Sequence, residues 1–256
     1  MDRRFNLVLA GLLLFATAFT PDSRIDLNDA TLSLSPYWGD TITQWSELIS
    51  EYAGQQGLDS DLVAAIIYEE SQGHPQRISV VGAVGLMQLM PYETGFTWRP
   101  TTQELLSPTL NVHWGTRTFS QIMRQAEGNV KNALAAYNGG WDQIELRAPQ
   151  LYSGEVLDHY ARSIAMRAGY DGRALKAWKL VFDVRTSYGV QRIDLLRSDN
   201  ILEVNADFDL NKLPASTPHA TAYSMIDAEG VAWMVEAWVI VEPIEGLSPN
   251  PARGVY

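Results

Sequence analysis

The sequence predicts an α+β protein, helical in its first two thirds and β-rich in its last third. Three observations carry that reading. From Trp38 to about Tyr170 apolar residues recur every three or four positions, the period of amphipathic helices. After Gly169 the period shortens to two, the mark of half-buried strands. The chain has 256 residues of which 46% are hydrophobic, enough to bury a real core. The organisation expected is an export signal over 1–18, a linker over 19–37, a helical domain over 38–170 and a small antiparallel β domain over 171–256.

Each element has a local cause. The chain begins with basic MDRR, and an apolar stretch from Phe5 to Phe19 follows with a small-residue site at Ala16-Thr17-Ala18, the pattern of a secretory signal. A membrane span takes about 20 apolar residues, so membrane attachment is expected only if this short segment stays uncleaved. Pro21 to Tyr37 is polar and mixed, a linker or an arm lying on the domain. Ile42, Trp45, Leu48, Ile49 and Tyr52 form one helical stripe that stops near Gly54. Asp59-Ser60-Asp61 offers N-caps and an acidic first turn to a second helix, which carries Glu70 near its C-terminal end. Pro75, after Gly73 and His74, forbids its continuation. Further helices are expected over 109–127, 129–137 and 155–168. Leu180, Phe182 and Val184 then alternate with polar neighbours, as does the run Leu202 to Leu210, and Val231 to Glu242 is rich in Val, Ile and Trp. Turn candidates at Tyr188-Gly189, Ser198 to Asn200 and Ala228 to Gly230 make this an antiparallel meander of about four or five strands.

Charge and composition exclude several functions. The net charge is -11 and no cluster of Lys and Arg is present, which argues against nucleic acid as a partner. There is no cysteine, hence no disulfide and no thiolate ligand, and His74, His113, His159 and His219 lack paired metal spacing. Neither a metal nor another cofactor is expected. Ser71 has no nucleophile-elbow glycine pattern, which removes a serine-hydrolase reading.

Three segments of the helical part remain to be explained. LVAAIIYEESQ sets Glu69 and Glu70 after a strongly apolar run, where burial raises a carboxyl pKa, and Ser71 follows at once. Two stripes run along that helix, Leu62-Ile66-Glu69 and Val63-Ile67-Glu70, so periodicity leaves open which glutamate faces a cleft. GAVGLMQLMP, from Gly82 to Pro91, punctuates an apolar run with glycines and places one amide, Gln88, inside it. NALAAYNGGW then sets a phenol and an amide side by side at Tyr137 and Asn138. The ordered set of Glu70-Ser71, SVVGAVGLMQLMP from Ser79 and AYNGG from Ala136 resembles the soluble-lytic-transglycosylase family, lysozyme-like enzymes of peptidoglycan. The resemblance covers roughly residues 38–170 and says little about the last third.

The resemblance implies a lysozyme-like catalytic domain and singles out Glu70, leaving Glu69 as a surface or structural residue. A glycosidic bond breaks when a general acid protonates the leaving oxygen, and many glycosidases add a second carboxylate on the far side. The family dispenses with that partner. Glu70 would protonate the bond between N-acetylmuramic acid and N-acetylglucosamine, then take the proton of the muramyl C6 hydroxyl as a 1,6-anhydro ring closes without water. The same match implies substrate contacts at Ser71, Ser79, Gly85, Met87, Gln88, Tyr137 and Asn138. Ser71 either ends the helix or orients Glu70, Ser79 would hydrogen-bond its carboxyl, and Gly85 permits close approach of the sugar. Met87 would lay a polarizable face on a sugar ring, Gln88 would pair with N-acetyl or peptide groups, and Tyr137 would point at Glu70. On the closing helix the family has a glutamate and a tyrosine about a turn apart. Tyr160 is the nearest candidate, with Glu155 at a spacing one residue off. The implied partner is the peptidoglycan glycan strand in the periplasm or cell envelope, and three roles stay open for the β domain: holding the glycan strand, docking a cell-envelope partner, or joining a secretion or phage assembly. Two other functions stay open: a goose-type-like muramidase that lets water attack, and a peptidoglycan-binding scaffold in which cleavage is incidental.

Overall fold

Capping, helix breakers and a change of period set the element order, seen in a computed structural model that describes residues 34–241 apart from Phe96, Tyr188, 199–200, 205–212 and Pro214. The expected signal, most of the linker, the outer part of the Leu202 to Leu210 run, Asp199-Asn200 and Glu242 lie outside the described residues. The first expected helix is two: α1 (Asp40–Thr43) and α2 (Ser46–Gln55). Trp45 sits at the break and donates from Nε1 to Gly73 O at 3.0 Å. Asp59 caps α3 (Ser60–Ser71), accepting from Asp61 N at 2.8 Å. Asp61 through Ile67 are buried without interruption, so the helix has no solvent face there. That is why two stripes were indistinguishable in the sequence.

Short α4 (Thr102–Leu105) opens on a Thr101 capping box. Then come α5 (Pro108–Gln125), with proline in its first turn, and α6 (Val130–Gly139), capped by Asn129. The last helix, α7 (Arg147–Arg167), starts well before the expected Glu155. Pro149 lies in its first turn, where no backbone N–H is needed, so it does not break the helix.

The β part is a five-stranded antiparallel sheet: β1 (Ala177–Thr186), β2 (Gly189–Ser198), β3 (Ile201–Val204), β4 (His219–Ile226) and β5 (Ala232–Ile240). Its order, β3-β2-β1-β5-β4, corrects the simple meander. Trp178 through Val184 of β1 are buried at every position, and a strand covered on both faces belongs in the middle of a sheet. The Ala228-Glu229 turn is as expected, closed by Asp227, whose N–H donates to Val231 O at 3.0 Å.

One buried cluster runs through helices and sheet, from Leu62, Ile66, Leu134 and Leu157 to Trp178, Phe182, Tyr223 and Val235. Hydrogen bonds tie the two parts together. Asp59 N donates to Ala222 O at 3.1 Å and Ser224 N to Gly57 O at 2.7 Å. Gly57 has φ +67°, and a Cβ there would lie 1.6 Å from Ser224 O, so no other residue fits. Asp158 holds Trp178 Nε1 at 2.7 Å and Arg162 Nε at 2.8 Å, joining α7 to β1. Buried Asp61 accepts from Ser35 N at 2.9 Å, from Trp38 Nε1 at 2.7 Å and from Arg167 Nε, which compensates its charge and pins the arm ahead of α1. The sheet thus docks at the N-terminal end of α3. Glu70 lies at the other end, about 15 Å away at a helical rise of about 1.5 Å per residue.

Candidate active site

The site is built where α3 stops. Gln72 turns left-handed at φ 55° and Gly73 follows at φ 80°, where a Cβ would meet Thr41 O at 2.0 Å. The chain then folds back beneath Glu70 as a tight knot. Ser79 N donates to Ala83 O at 2.8 Å, and Ala83 N returns a bond to Ser79 Oγ at 3.0 Å. Val84 and Leu89 exchange both backbone hydrogen bonds, at 2.9 and 3.0 Å. Gly85 is required twice over: its φ of 81° is left-handed, and a Cβ would come within 2.2 Å of the Asn111 amide; its N–H donates to Arg77 O at 2.8 Å.

Asn111 is one of two residues that the sequence did not reveal. Wholly buried on α5, it donates to Val84 O at 2.7 Å and Leu105 O at 3.0 Å and accepts from Met87 N at 2.8 Å. A single amide therefore satisfies two backbone groups of the knot and the last carbonyl of α4. No local pattern marks it, because its partners lie up to 27 residues away.

The expected site residues divide. Ser71 is buried, its Oγ 2.8 Å from Leu86 O and 3.1 Å from Ile67 O, so it clips the knot to the helix end. Gln88, at φ 46°, donates from Nε2 to Gly85 O at 3.0 Å and Arg77 O at 3.1 Å. Met87 is not brought to the cleft: its side chain is fully buried on α5, where a Cβ at Gly115 would lie 2.2 Å from its sulfur. Its carbonyl matters instead, accepting from Tyr137 OH at 2.7 Å. Asn138 follows Tyr137 and is exposed near the end of α6. Tyr160 is also not at the cleft. It is fully buried and donates to Asp59 Oδ2 at 2.9 Å, at the opposite end of α3 from Glu70.

The phenol of α7 that reaches Glu70 is Tyr152. It lies two turns before Tyr160, and counting from the family's motif spacing passed over it. Its buried hydroxyl stabilises the ionised Glu70 carboxyl without meeting it at ordinary hydrogen-bond geometry. Burial pushes the Glu70 carboxyl up from 4.5 to about 7; Tyr152 opposes the shift, Glu69 adds to it and Arg77 opposes it. Burial, followed by the Glu70 charge, also raises the Tyr137 and Tyr152 hydroxyls above their ordinary value, so both phenols stay neutral.

Geometry also separates the two glutamates. Glu69 Oε1 lies 3.0 Å from His159 Nε2, and Tyr37 OH lies 2.6 Å from His159 Nδ1. Glu69 thus faces His159, while Glu70 lies toward Tyr152 and Tyr137. Among the described residues, no three of His, Cys, Asp and Glu converge as a metal site.

A carboxyl that is half-protonated near neutral pH, flanked by neutral phenols, is an acid–base site on a helical scaffold. Residues 47–150 match the model of the Transglycosylase SLT domain. It is 38% identical over 115 residues to a transglycosylase of Enterobacteria phage PRD1, covering 44% of this chain and 42% of that one. It is 38% identical over 97 residues to the endo-type membrane-bound lytic murein transglycosylase A of Klebsiella pneumoniae, covering 35% and 48%. It is 32% identical over 93 residues to the membrane-bound lytic murein transglycosylase E of Buchnera aphidicola, covering 33% and 42%. The chain spans less than half the length of these curated relatives. Among solved structures, an inactive mutant of lytic transglycosylase Slt from Pseudomonas aeruginosa matches with a TM-score of 0.41 and 29% identity, over 44% of this chain and 23% of that one. The 70 kDa soluble lytic transglycosylase of Escherichia coli matches with a TM-score of 0.41 and 24% identity, over 46% and 23%.

Proposed function

We propose that the chain is an exported peptidoglycan lytic transglycosylase that uses Glu70 first as general acid and then as base. The observation that carries this is Glu70 itself, raised to about 7 by burial at the edge of the glycine-turned knot. Protonated Glu70 gives its proton to the oxygen between muramyl C1 and N-acetylglucosamine as that C1–O bond breaks. The resulting carboxylate takes the proton of the muramyl C6 hydroxyl, whose oxygen closes on C1. The acid is regenerated and water is not consumed. The carboxylate that bears on Glu70 is Glu69, and its pairing with His159 supports a mechanism without a second catalytic carboxylate.

Tyr137 and Tyr152 would orient the acid, Ser79, Gln88 and Asn138 would line the approach of the glycan, and buried Gly85 would hold the turn of the knot against Asn111. Ser71 and Met87 would act from beneath, by holding the knot. The basic-then-apolar N-terminus supports export to the periplasm or cell envelope, where the substrate lies. The sheet, on the side of α3 away from Glu70, would be free to dock an envelope or secretion assembly.

Digestion of purified peptidoglycan by wild type and Glu70→Gln, with mass spectrometry of the released muropeptides, tests this. The expected products are anhydromuramyl ends, one water lighter than hydrolytic ends, falling about 10²- to 10⁴-fold in rate in the variant. Reducing ends would make the protein a muramidase, and no product from wild type would make it a binding protein.

A further inference from the structure

Beside the acid lies a hydrogen-bond chain that the mechanism above leaves unused. Glu69 directly precedes Glu70 near the end of α3, and its Oε1 lies 3.0 Å from Nε2 of His159 on α7. The other ring nitrogen, Nδ1, lies 2.6 Å from Tyr37 OH. A carboxylate can only accept, so Nε2 carries the hydrogen, and Nδ1 of the neutral ring accepts from the phenol. Burial pushes the Tyr37 phenol up to about 12, so it keeps the hydrogen it donates. The direction of the chain follows: Tyr37 donates to His159, and His159 to Glu69.

Each member of the chain is fixed from outside the cleft. Tyr37 sits on the arm ahead of α1, where Ser35 N and Trp38 Nε1, on either side of it, both donate to Asp61. Arg173 grips the same stretch by donating to Pro36 O at 2.8 Å and Tyr37 O at 2.9 Å. The His159 ring packs on Tyr68 and Trp38, with centroids 4.4 and 6.2 Å apart. The His159 and Glu69 side chains are only 18% and 22% exposed, which leaves little water to screen the Glu69 charge. Glu70 feels that charge, since Glu69 adds to the rise that burial produces in its neighbour. An N–H aimed at a carboxylate offsets part of its field and fixes where the carboxylate sits.

We propose that His159, oriented by Tyr37, is a positioning residue that tunes the acid Glu70 through Glu69, by holding the Glu69 carboxylate on the α7 side and offsetting part of its charge. The arm ahead of α1 thereby becomes part of the site. The inference rests on Glu70 being the acid of the transglycosylase reading. Tyr68 on α3, Glu155 one turn before His159, the Asp158–Arg162 pair and Arg173 also surround the chain. Arg77, Tyr137 and Tyr152 bear on Glu70 itself. All of these stay unchanged in the variants below.

The test is the pH dependence of kcat/KM for digestion of purified peptidoglycan, whose alkaline limb reports the acid of the free enzyme. Glu69→Gln is expected to move that limb to lower pH by about half a pH unit or more, the effect of one nearby charge even in water-like surroundings. His159→Phe, which keeps a ring beside Tyr68 and Trp38, leaves the Glu69 charge without its donor and should move the limb to higher pH by about a quarter of a unit or more. Tyr37→Phe removes a single oxygen and should move it the same way by less, so it carries the test even where the His159 exchange disturbs folding. In the Glu69→Gln background His159→Phe should no longer move the limb, because its route to Glu70 is gone. A merely structural His159 would lower the rate and leave the limb in place. An unmoved limb, a move to lower pH, or a move that survives in the Glu69→Gln background overturns the proposal. Failure of the transglycosylase reading would look different: no product from wild type, while the pH-dependent gain in melting temperature on adding Glu70→Gln still differs between the His159→Phe and parent backgrounds.

Discussion

Replacing Glu70 with glutamine should stabilise the protein, and by an amount that depends on pH. The Glu70 carboxyl is raised from 4.5 to about 7 in the folded state, chiefly by burial. The folded protein therefore holds this proton more tightly than the unfolded chain. Its contribution to stability is fully present below about pH 4.5 and is lost as pH rises through about 7. At 1.36 kcal/mol per pKa unit, ionised Glu70 costs the fold about 3 kcal/mol above that range. Glutamine has nearly the same shape and no charge to desolvate. Glu70→Gln should match wild type at about pH 4 and exceed it by about 3 kcal/mol at about pH 8.5, or about 6 to 12 °C in Tm for a protein of this size. Paired thermal melts across that pH range measure the difference, and groups common to both proteins, including buried Asp59, cancel. A difference that is flat with pH, or that favours wild type at high pH, would refute the claim that the cleft holds Glu70 against ionisation.

The two tyrosines of α7 should behave oppositely. Tyr152→Phe removes a group that stabilises ionised Glu70, so its pKa rises and the alkaline limb of the activity profile should move to higher pH, with melting little changed. Tyr160→Phe leaves Asp59 Oδ2 without its donor in the core; it should cost about 1 to 3 kcal/mol of stability while leaving the pH profile in place. Asn111→Ala strands two backbone groups of the knot and the Leu105 carbonyl of α4, and urea unfolding should show a loss of about 3 kcal/mol or more. Gly85→Ala combines a positive φ with a clash against that amide, so peptidoglycan digestion should fall steeply even where the folded fraction, read by circular dichroism, remains high.

Sequence alone determined most of what recurs locally. Period fixed where helices give way to strands, Asp59 and Asn129 marked helix starts through the caps they form, and the glycines of GAVGLMQLMP marked a backbone that must turn left-handed. These features depend on neighbours within a few residues, so a linear reading captures them. It also named Glu70, though through the order of motifs, because both stripes of α3 are apolar.

What tertiary structure decided depends on residues far apart in the chain. Glu69 is set aside because His159, on α7, reaches it at 3.0 Å. Met87 turns inward because Gly115 leaves room on α5, and Tyr160 is taken up by Asp59 while Tyr152 comes to the cleft. The strand order follows from which strand is covered on both faces, which alternation along one strand cannot state. The raised pKa of Glu70 has the same origin: desolvation is a property of everything packed around a carboxyl, and only the folded chain brings that surrounding together.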